Sequence, residues 1–397
     1  MDYSAQRDVA TNLAASDLRG AVKRLAALCD ANPDNATAWD DLGTMCLNLE
    51  LRTLGHSTDQ TLVIFHRALE IEPDDKRIQN NYDLCRKHQV AKTFYGKLEH
   101  NILPIPQFPR NQSSEYFQAM TGNAFSIKKA IPVEKLDFLT LEYLREHHGG
   151  QIVEYMAPEK EYQFNNTGRC IDKPMIEALD LLESNERTYV VWNMKYRERK
   201  KFMDKIGLLE RIPVDETWID EIIPSDELRD ELLTKTHWYQ MLIGSKDAGM
   251  FNHRDGFENS GWHLHIRGSK RWHVCHPDNS MYIKKYTKNG AGETNFFSPN
   301  YESHPEIRKV TAYMGELSVG DILYYPGRFW HQTHNVQEVN ITFTCSGVNR
   351  GNVSNVIGCM KSCCTKKLPY DFSSELCSAL QDVYEYWKNI YGFHSNA

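Results

Sequence analysis

NHRDGFENSGWHLHIRGSKRWHVCHP, residues 252–277, carries two strand-like runs on either side of a Gly-Ser turn. Residues 262–266 and 271–276 alternate aromatic or aliphatic side chains with polar ones, the pattern of a strand packed on one face. Outward from this hairpin, runs at 151–155, 188–192, 237–243, 322–325 and 340–346 share that chemistry and are separated by turn residues. Several short strands divided by turns predict a β-barrel rather than a parallel βαβ sheet.

The same stretch places His253 and Asp255 two residues apart. On extended backbone, residues i and i+2 point the same way, so an imidazole and a carboxylate can share one ion. LSVGDILYYPGRFWHQTHNV, residues 317–336, offers a third ligand. There a Gly320-Asp321 turn, a short strand and a Pro326-Gly327 turn lead to His331, directly after two aromatics. Two histidines and one carboxylate on one face of an octahedron leave three positions open, which suits non-haem Fe(II).

H-x-D, then R-G-S-K-R, then G-D-x-L-Y-x-P-x-x-x-W-H together resemble the JmjC family of Fe(II)/2-oxoglutarate oxygenases in the cupin superfamily. The likeness is greatest to the hydroxylase branch that includes factor inhibiting HIF. The resemblance covers residues 100–350 and implies an α+β protein built on a double-stranded β-helix (a cupin or jelly-roll barrel). It implies a 2-oxoglutarate-dependent dioxygenase using Fe(II), 2-oxoglutarate and O₂, with His253, Asp255 and His331 as metal ligands and His334 as the competitor for the third place. The distal carboxylate of a keto acid buried in such a barrel needs a cation and hydroxyl donors. IRGSKR assigns the cation to Lys270, and ERTY assigns one hydroxyl to Tyr189. Ser346 matches a further polar position, and Thr342 or Thr344 is expected to face inward beside it. Met250 departs from the asparaginyl hydroxylase, which has a co-substrate-binding threonine there, so another donor is expected.

The first hundred residues read as helices. AVKRLAALCDANP, residues 21–33, is apolar at helical spacing, and the order Trp39, Leu42-Gly43, Phe65, Ala68, Pro73 resembles a tetratricopeptide repeat with a lengthened turn. The expected organisation is a helical domain at 1–100, an oxygenase domain at 101–350 entered through the proline-rich linker NILPIPQFP (101–109), and a C-terminal helical extension at 351–397. A helix is expected to start near Thr140 and stop at Gly149-Gly150. In the extension, Leu376, Leu380, Val383, Tyr384 and Trp387 share one apolar face, suited to homodimerisation or to covering the barrel. Segments 156–185, 196–235 and 278–315 are expected to be irregular and to set selectivity.

A formal charge of −7 argues against sequence-independent binding to nucleic acid. Lys195, Arg197, Arg199, Lys200 and Lys201 read as a solvated helix face. No apolar run approaches a membrane span, and the polar first 18 residues lack a signal-peptide core, so a cytoplasmic or nuclear protein is expected. Ten scattered cysteines read as reduced thiols; Cys359, Cys363 and Cys364 with Cys345, Cys377 or His394 form the zinc alternative. A kinase is excluded, because Asn259 follows the HRD aspartate by four residues instead of five and no Gly-rich loop or D-F-G is present. His263, His265, His273 and His276 crowd one hairpin, with alternation turning some inward. The expected activity is hydroxylation of a side chain in a protein or peptide partner. A small molecule or modified nucleobase as substrate, and a non-catalytic cupin scaffold, are the competing readings.

Overall fold

The computed structural model describes residues 3–14, 17–53, 59–95, 98–108, 122–156, 170–184, 187–212, 214–283, 287–288, 291–292, 294–366 and 371–392. The chain divides into two compact units, Met1–Pro104 and Ile105–Ala397.

The first unit contains α1 (Tyr3–Leu13), α2 (Leu18–Ala31), α3 (Ala36–Thr53), α4 (Asp59–Ile71) and α5 (Lys76–Tyr95), followed by the short strand β1 (Asn101–Pro104). Asp17 caps α2, its carboxylate accepting from the Gly20 amide at 2.8 Å. A Cβ on Gly43 would come within 2.7 Å of the Phe65 ring; the glycine is what lets that fully buried ring sit between α3 and α4. The linker expected at 101–109 is instead strand at 101–104 and 107–108, with Pro109 outside the described residues.

The second unit holds β2 (Gln107–Phe108), β3 (Phe125–Ile127), β4 (Ile152–Met156), β5 (Ile171–Pro174), β6 (Tyr189–Asn193), β7 (Tyr239–Ser245), β8 (Ser260–Arg267) and β9 (Ser269–Cys275). It continues with the small pair β10 (Thr287–Lys288) and β11 (Ala291–Gly292), then β12 (Thr311–Ser318), β13 (Ile322–Tyr325), β14 (Trp330–Asn335) and β15 (Val339–Gly347). The larger sheet is ordered β2-β3-β13-β8-β15-β7-β6-β4-β5, and β12-β9-β14 run side by side in the other. The two layers, antiparallel apart from the short β2–β3 pairing, form a double-stranded β-helix, and helices precede and follow it in the chain.

Alternation decides what each strand of the large sheet contributes. Trp262, Leu264 and Ile266 of β8, Ile322 and Tyr324 of β13, and Ile341, Phe343 and Cys345 of β15 enter the main hydrophobic core. Their neighbours His263, His265, Tyr325, Thr342 and Thr344 take the opposite face and are buried as well. The barrel is therefore greasy behind the large sheet and polar within.

Around the sheets lie α6 (Leu141–His148), α7 (Met175–Ser184), α8 (Tyr196–Ile206), α9 (Asp226–Lys235), α10 (Ser280–Ile283), α11 (Val353–Lys366) and α12 (Ser374–Tyr391). Thr140 caps α6 by accepting from the Tyr143 amide at 3.2 Å. The apolar face of α12 belongs to the same core as the barrel; Trp387 meets Trp218 at 5.0 Å between centroids, and Trp218 meets Trp238 at 5.3 Å. That face covers its own barrel.

Three expectations need correction. Among the described residues, the segments read as irregular contain the helices α7, α8 and α9, and α7 and α8 each bury an apolar face that a loop reading overlooks. Arg199 is not solvated: it is 1% exposed and clamped between Glu216 (2.7 Å) and Asp220 (2.6 Å). Cys364 and Cys377 are joined in a disulfide where thiols were expected, which removes two thiols from the zinc alternative; His394 lies outside the described residues. Among the described residues, no helix is long and apolar enough to cross a membrane.

Candidate metal centre

His253 lies on the segment that enters β8, and His331 is the second residue of β14. Their backbones form an isolated antiparallel bridge, with His253 N–H donating to His331 O at 2.9 Å and the reverse bond at 2.8 Å. The bridge sets the imidazoles side by side, 4.1 Å between centroids. Asp255 Oδ1 lies 3.6 Å from His253 Nε2 and 3.5 Å from His331 Nε2. One ligand atom from each residue falls within a 4.8 Å cluster, the one such group among the described residues.

Hydrogen bonds decide the tautomers. His253 Nδ1 faces the Phe251 carbonyl at 2.7 Å, and His331 Nδ1 faces the Phe329 carbonyl at 3.2 Å. A carbonyl only accepts, so each Nδ1 carries a proton and Nε2, the ring nitrogen facing Asp255, is the one left for a metal. Burial, with His253 adding to it, pushes His331 down to about 4, so this ring is neutral at pH 7. Loss of water would raise the Asp255 carboxyl, but His331 and His253 outweigh that and hold it below the usual carboxylate range. A neutral His331 imidazole and an ionised carboxylate are protonation states that a divalent metal needs. His334 is not part of the group; its Nε2 pairs with Asp247 Oδ1 at 3.2 Å.

Deeper in the barrel, Lys270 of β9 is 1% exposed. Its Nζ donates to Tyr189 Oη at 3.2 Å, and among the described residues no carboxylate pairs with it. Burial alone pushes Lys270 down to about 7. A buried ammonium without an anion is costly, and it is what a dicarboxylate ligand would neutralise. Buried atoms without partners accompany it in the barrel: Thr342 Oγ1, Asn335 Oδ1 and the Nδ1 atoms of His263 and His265. The unpaired Lys270 ammonium, the orphaned Thr342 hydroxyl and the donor set of the triad fit Fe(II) with an anionic co-substrate.

Lys270 and Tyr189 are brought together. Thr342 is fully buried on β15, in register with His265 and Leu242, whereas Thr344 lies two residues on, in register with His263 and Gln240. Ser346 sits at the far end of β15, where its Oγ accepts from Asn259 Nδ2 at 2.5 Å; four strand residues, about 13 Å, separate it from Thr342.

Thr333, which sequence reading missed, lies beside Met250. Its Oγ1 accepts from the Met250 amide at 3.0 Å, and it lies near Tyr189. Standing at i+2 from His331 on the same strand face, it is recoverable by alternation. Tyr325 and His263 were also missed as site residues, and both touch the triad's surroundings.

The chain matches the cupin-like domain family over residues 132–345, more than half its length and all of the triad. It belongs to that family. This cupin is also 26% identical to HSPB1-associated protein 1 of Bos taurus over 148 residues, 36% of this chain and 28% of that protein. The Homo sapiens protein gives 26% over 148 residues, covering 36% and 27%. The Danio rerio homolog gives 28% over 149 residues, covering 36% and 30%. The cupin thus spans less than a third of the length of these relatives.

Proposed function

We propose that this cupin is an Fe(II)- and 2-oxoglutarate-dependent oxygenase of the JmjC kind that hydroxylates a side chain of a polypeptide. The observation that carries this reading is the pairing of two Nδ1-protonated imidazoles and Asp255 with an anion-free buried Lys270 in the same barrel. His253, Asp255 and His331 would hold the metal. Lys270, Tyr189 and Thr333 would take the distal carboxylate of the co-substrate, with Thr342 as a further buried donor. When bound, Fe(II) and 2-oxoglutarate supply the oxidant that places one atom of O₂ on a C–H bond, while the keto acid ends as succinate and CO₂.

The protein's own part is to orient and to exclude water. The Phe251 and Phe329 carbonyls keep the imidazole lone pairs aimed at the metal. The buried inner faces of β8, β13 and β15 keep the deep end of the barrel dry. His253 and Asp255 remain partly exposed and mark the side from which substrate approaches.

A polypeptide substrate is favoured by two supports. The N-terminal unit is a run of helices, and the sequence order there resembles a tetratricopeptide repeat, a type of array that can hold a peptide. The relatives are named for association with a protein, which agrees with a protein partner here. Anaerobic addition of Fe(II) and 2-oxoglutarate is expected to give a weak visible charge-transfer band that His253→Ala and Lys270→Ala each remove. No band with the unaltered protein, or one that survives His253→Ala, would overturn the reading.

A further inference from the structure

We propose that Tyr325 is a positioning residue for the metal carboxylate: its hydroxyl, itself oriented by His263, holds Asp255 Oδ2 so that only Oδ1 is offered beside the two imidazoles. This rests on reading the triad as a metal site.

The two oxygens of Asp255 have different surroundings. Oδ1 is the one 3.6 and 3.5 Å from the histidine Nε2 atoms. Oδ2 accepts from Tyr325 Oη at 2.8 Å. Tyr325 Oη also lies 2.7 Å from His263 Nε2 and 3.2 Å from His331 Nε2. A phenol has one hydrogen, and the ionised carboxylate is the strongest acceptor in reach. With that hydrogen committed to Oδ2, His263 must present Nε2–H to the phenol oxygen. Its Nδ1 is then the bare nitrogen, and Nδ1 is the atom found buried and without a partner. The His331 contact carries no proton, because its Nε2 is the lone-pair nitrogen.

The packing is built for this hydroxyl. Tyr325 stacks on His331 at 4.4 Å between centroids and on His263 at 5.3 Å. Across the ladder, Tyr325 is paired with Gly261. A Cβ at Gly261 would meet Tyr325 Cζ at 2.5 Å and Oη at 2.6 Å. The glycine leaves the space in which the phenol reaches the carboxylate. The consequence is one of counting: a carboxylate held by one oxygen leaves three places on an octahedral metal, whereas one bound through both leaves two, too few for a bidentate keto acid and O₂ together.

Tyr325→Phe keeps the ring and deletes the bond. It is expected to melt like the unaltered protein without metal, to bind Mn(II) 10- to 100-fold more weakly, and to change the visible d–d spectrum of the Co(II)-loaded protein toward higher coordination number. His263→Leu is expected to weaken Mn(II) several-fold, and the double variant to bind no worse than Tyr325→Phe alone, since both act through one hydroxyl. Unchanged Mn(II) affinity and Co(II) spectrum in Tyr325→Phe, or in His263→Leu if the first variant does not fold, overturns the proposal, provided His253→Ala abolishes Mn(II) binding. If His253→Ala binds Mn(II) as before, the metal reading itself fails and the proposal with it.

Discussion

His253 and His331 are cross-strand partners, each amide donating to the other's carbonyl at 2.9 and 2.8 Å. The prospective metal ligands are thus joined by main chain before any metal arrives. One of them stands on the smaller sheet and the other on the segment entering the larger, so the bridge closes the gap between the two sheets at this point.

This closure predicts that metal binding stabilises the protein without reorganising it. Mn(II) at 100 times its Kd is expected to add about 2.7 kcal/mol to unfolding free energy. Asp255→Ala is expected to retain the circular dichroism spectrum and lose that increment. Denaturant titrations with and without Mn(II) check both.

Lys270→Met is expected to act in opposite directions on stability and on binding. It removes a buried, anion-free charge at similar volume, so the ligand-free protein gains about 1–4 kcal/mol by denaturant unfolding. It also removes a charge-assisted bond worth about 1.5–3 kcal/mol, so calorimetry should show 2-oxoglutarate affinity falling about 10- to 100-fold. A variant that lost stability would mean that Lys270 already has an anionic partner.

Lys270 titrates near 7 in the empty site, and a bound dicarboxylate raises it. Below pH 7 the ammonium is already present and binding takes up no proton. Above pH 7 the free site holds a neutral amine, so binding captures a proton and affinity falls by up to about tenfold per pH unit. Calorimetry at pH 6 and pH 8, in buffers of different ionisation enthalpy, reads the proton count directly. Equal counts at the two pH values would contradict the assignment.

Trp387 anchors α12 to the barrel through Trp218 and is 1% exposed. Trp387→Ala should cost about 3–5 kcal/mol, seen as a lower urea midpoint. Metal affinity measured below the transition is expected to stay unchanged, because the tryptophan packs behind the large sheet rather than inside the barrel.

Much of this architecture was legible from local pattern. Residues 322–325 form the expected strand, and six other expected strands fall within two residues of those found. β12 and β14 went unread for a physical reason. WHQTHN spends its inner face on His331, Thr333 and Asn335, so apolar alternation is lost where the site is built, and TAYMGELS is interrupted on that face by Gly315. The triad was legible because H-x-D and the turn before His331 are local. Tyr325 was not, because its role is set by the register that places it opposite Gly261, and register across strands distant in sequence leaves no local trace. Arg199 shows the same limit: the acidic groups that bury it, Glu216 and Asp220, belong to a later segment.

The carbonyls of Phe251 and Phe329 have a consequence for how this protein is mapped by mutation. They fix which nitrogen of each histidine is protonated, yet they belong to the main chain, and every amino acid supplies the same oxygen. Phe251→Leu is expected to leave the metal site intact, so a scan of side chains would score position 251 as tolerant. The proton placement on which the centre depends is inherited from the path of the chain, and evolution or a protein engineer can rewrite the neighbouring rings without disturbing it.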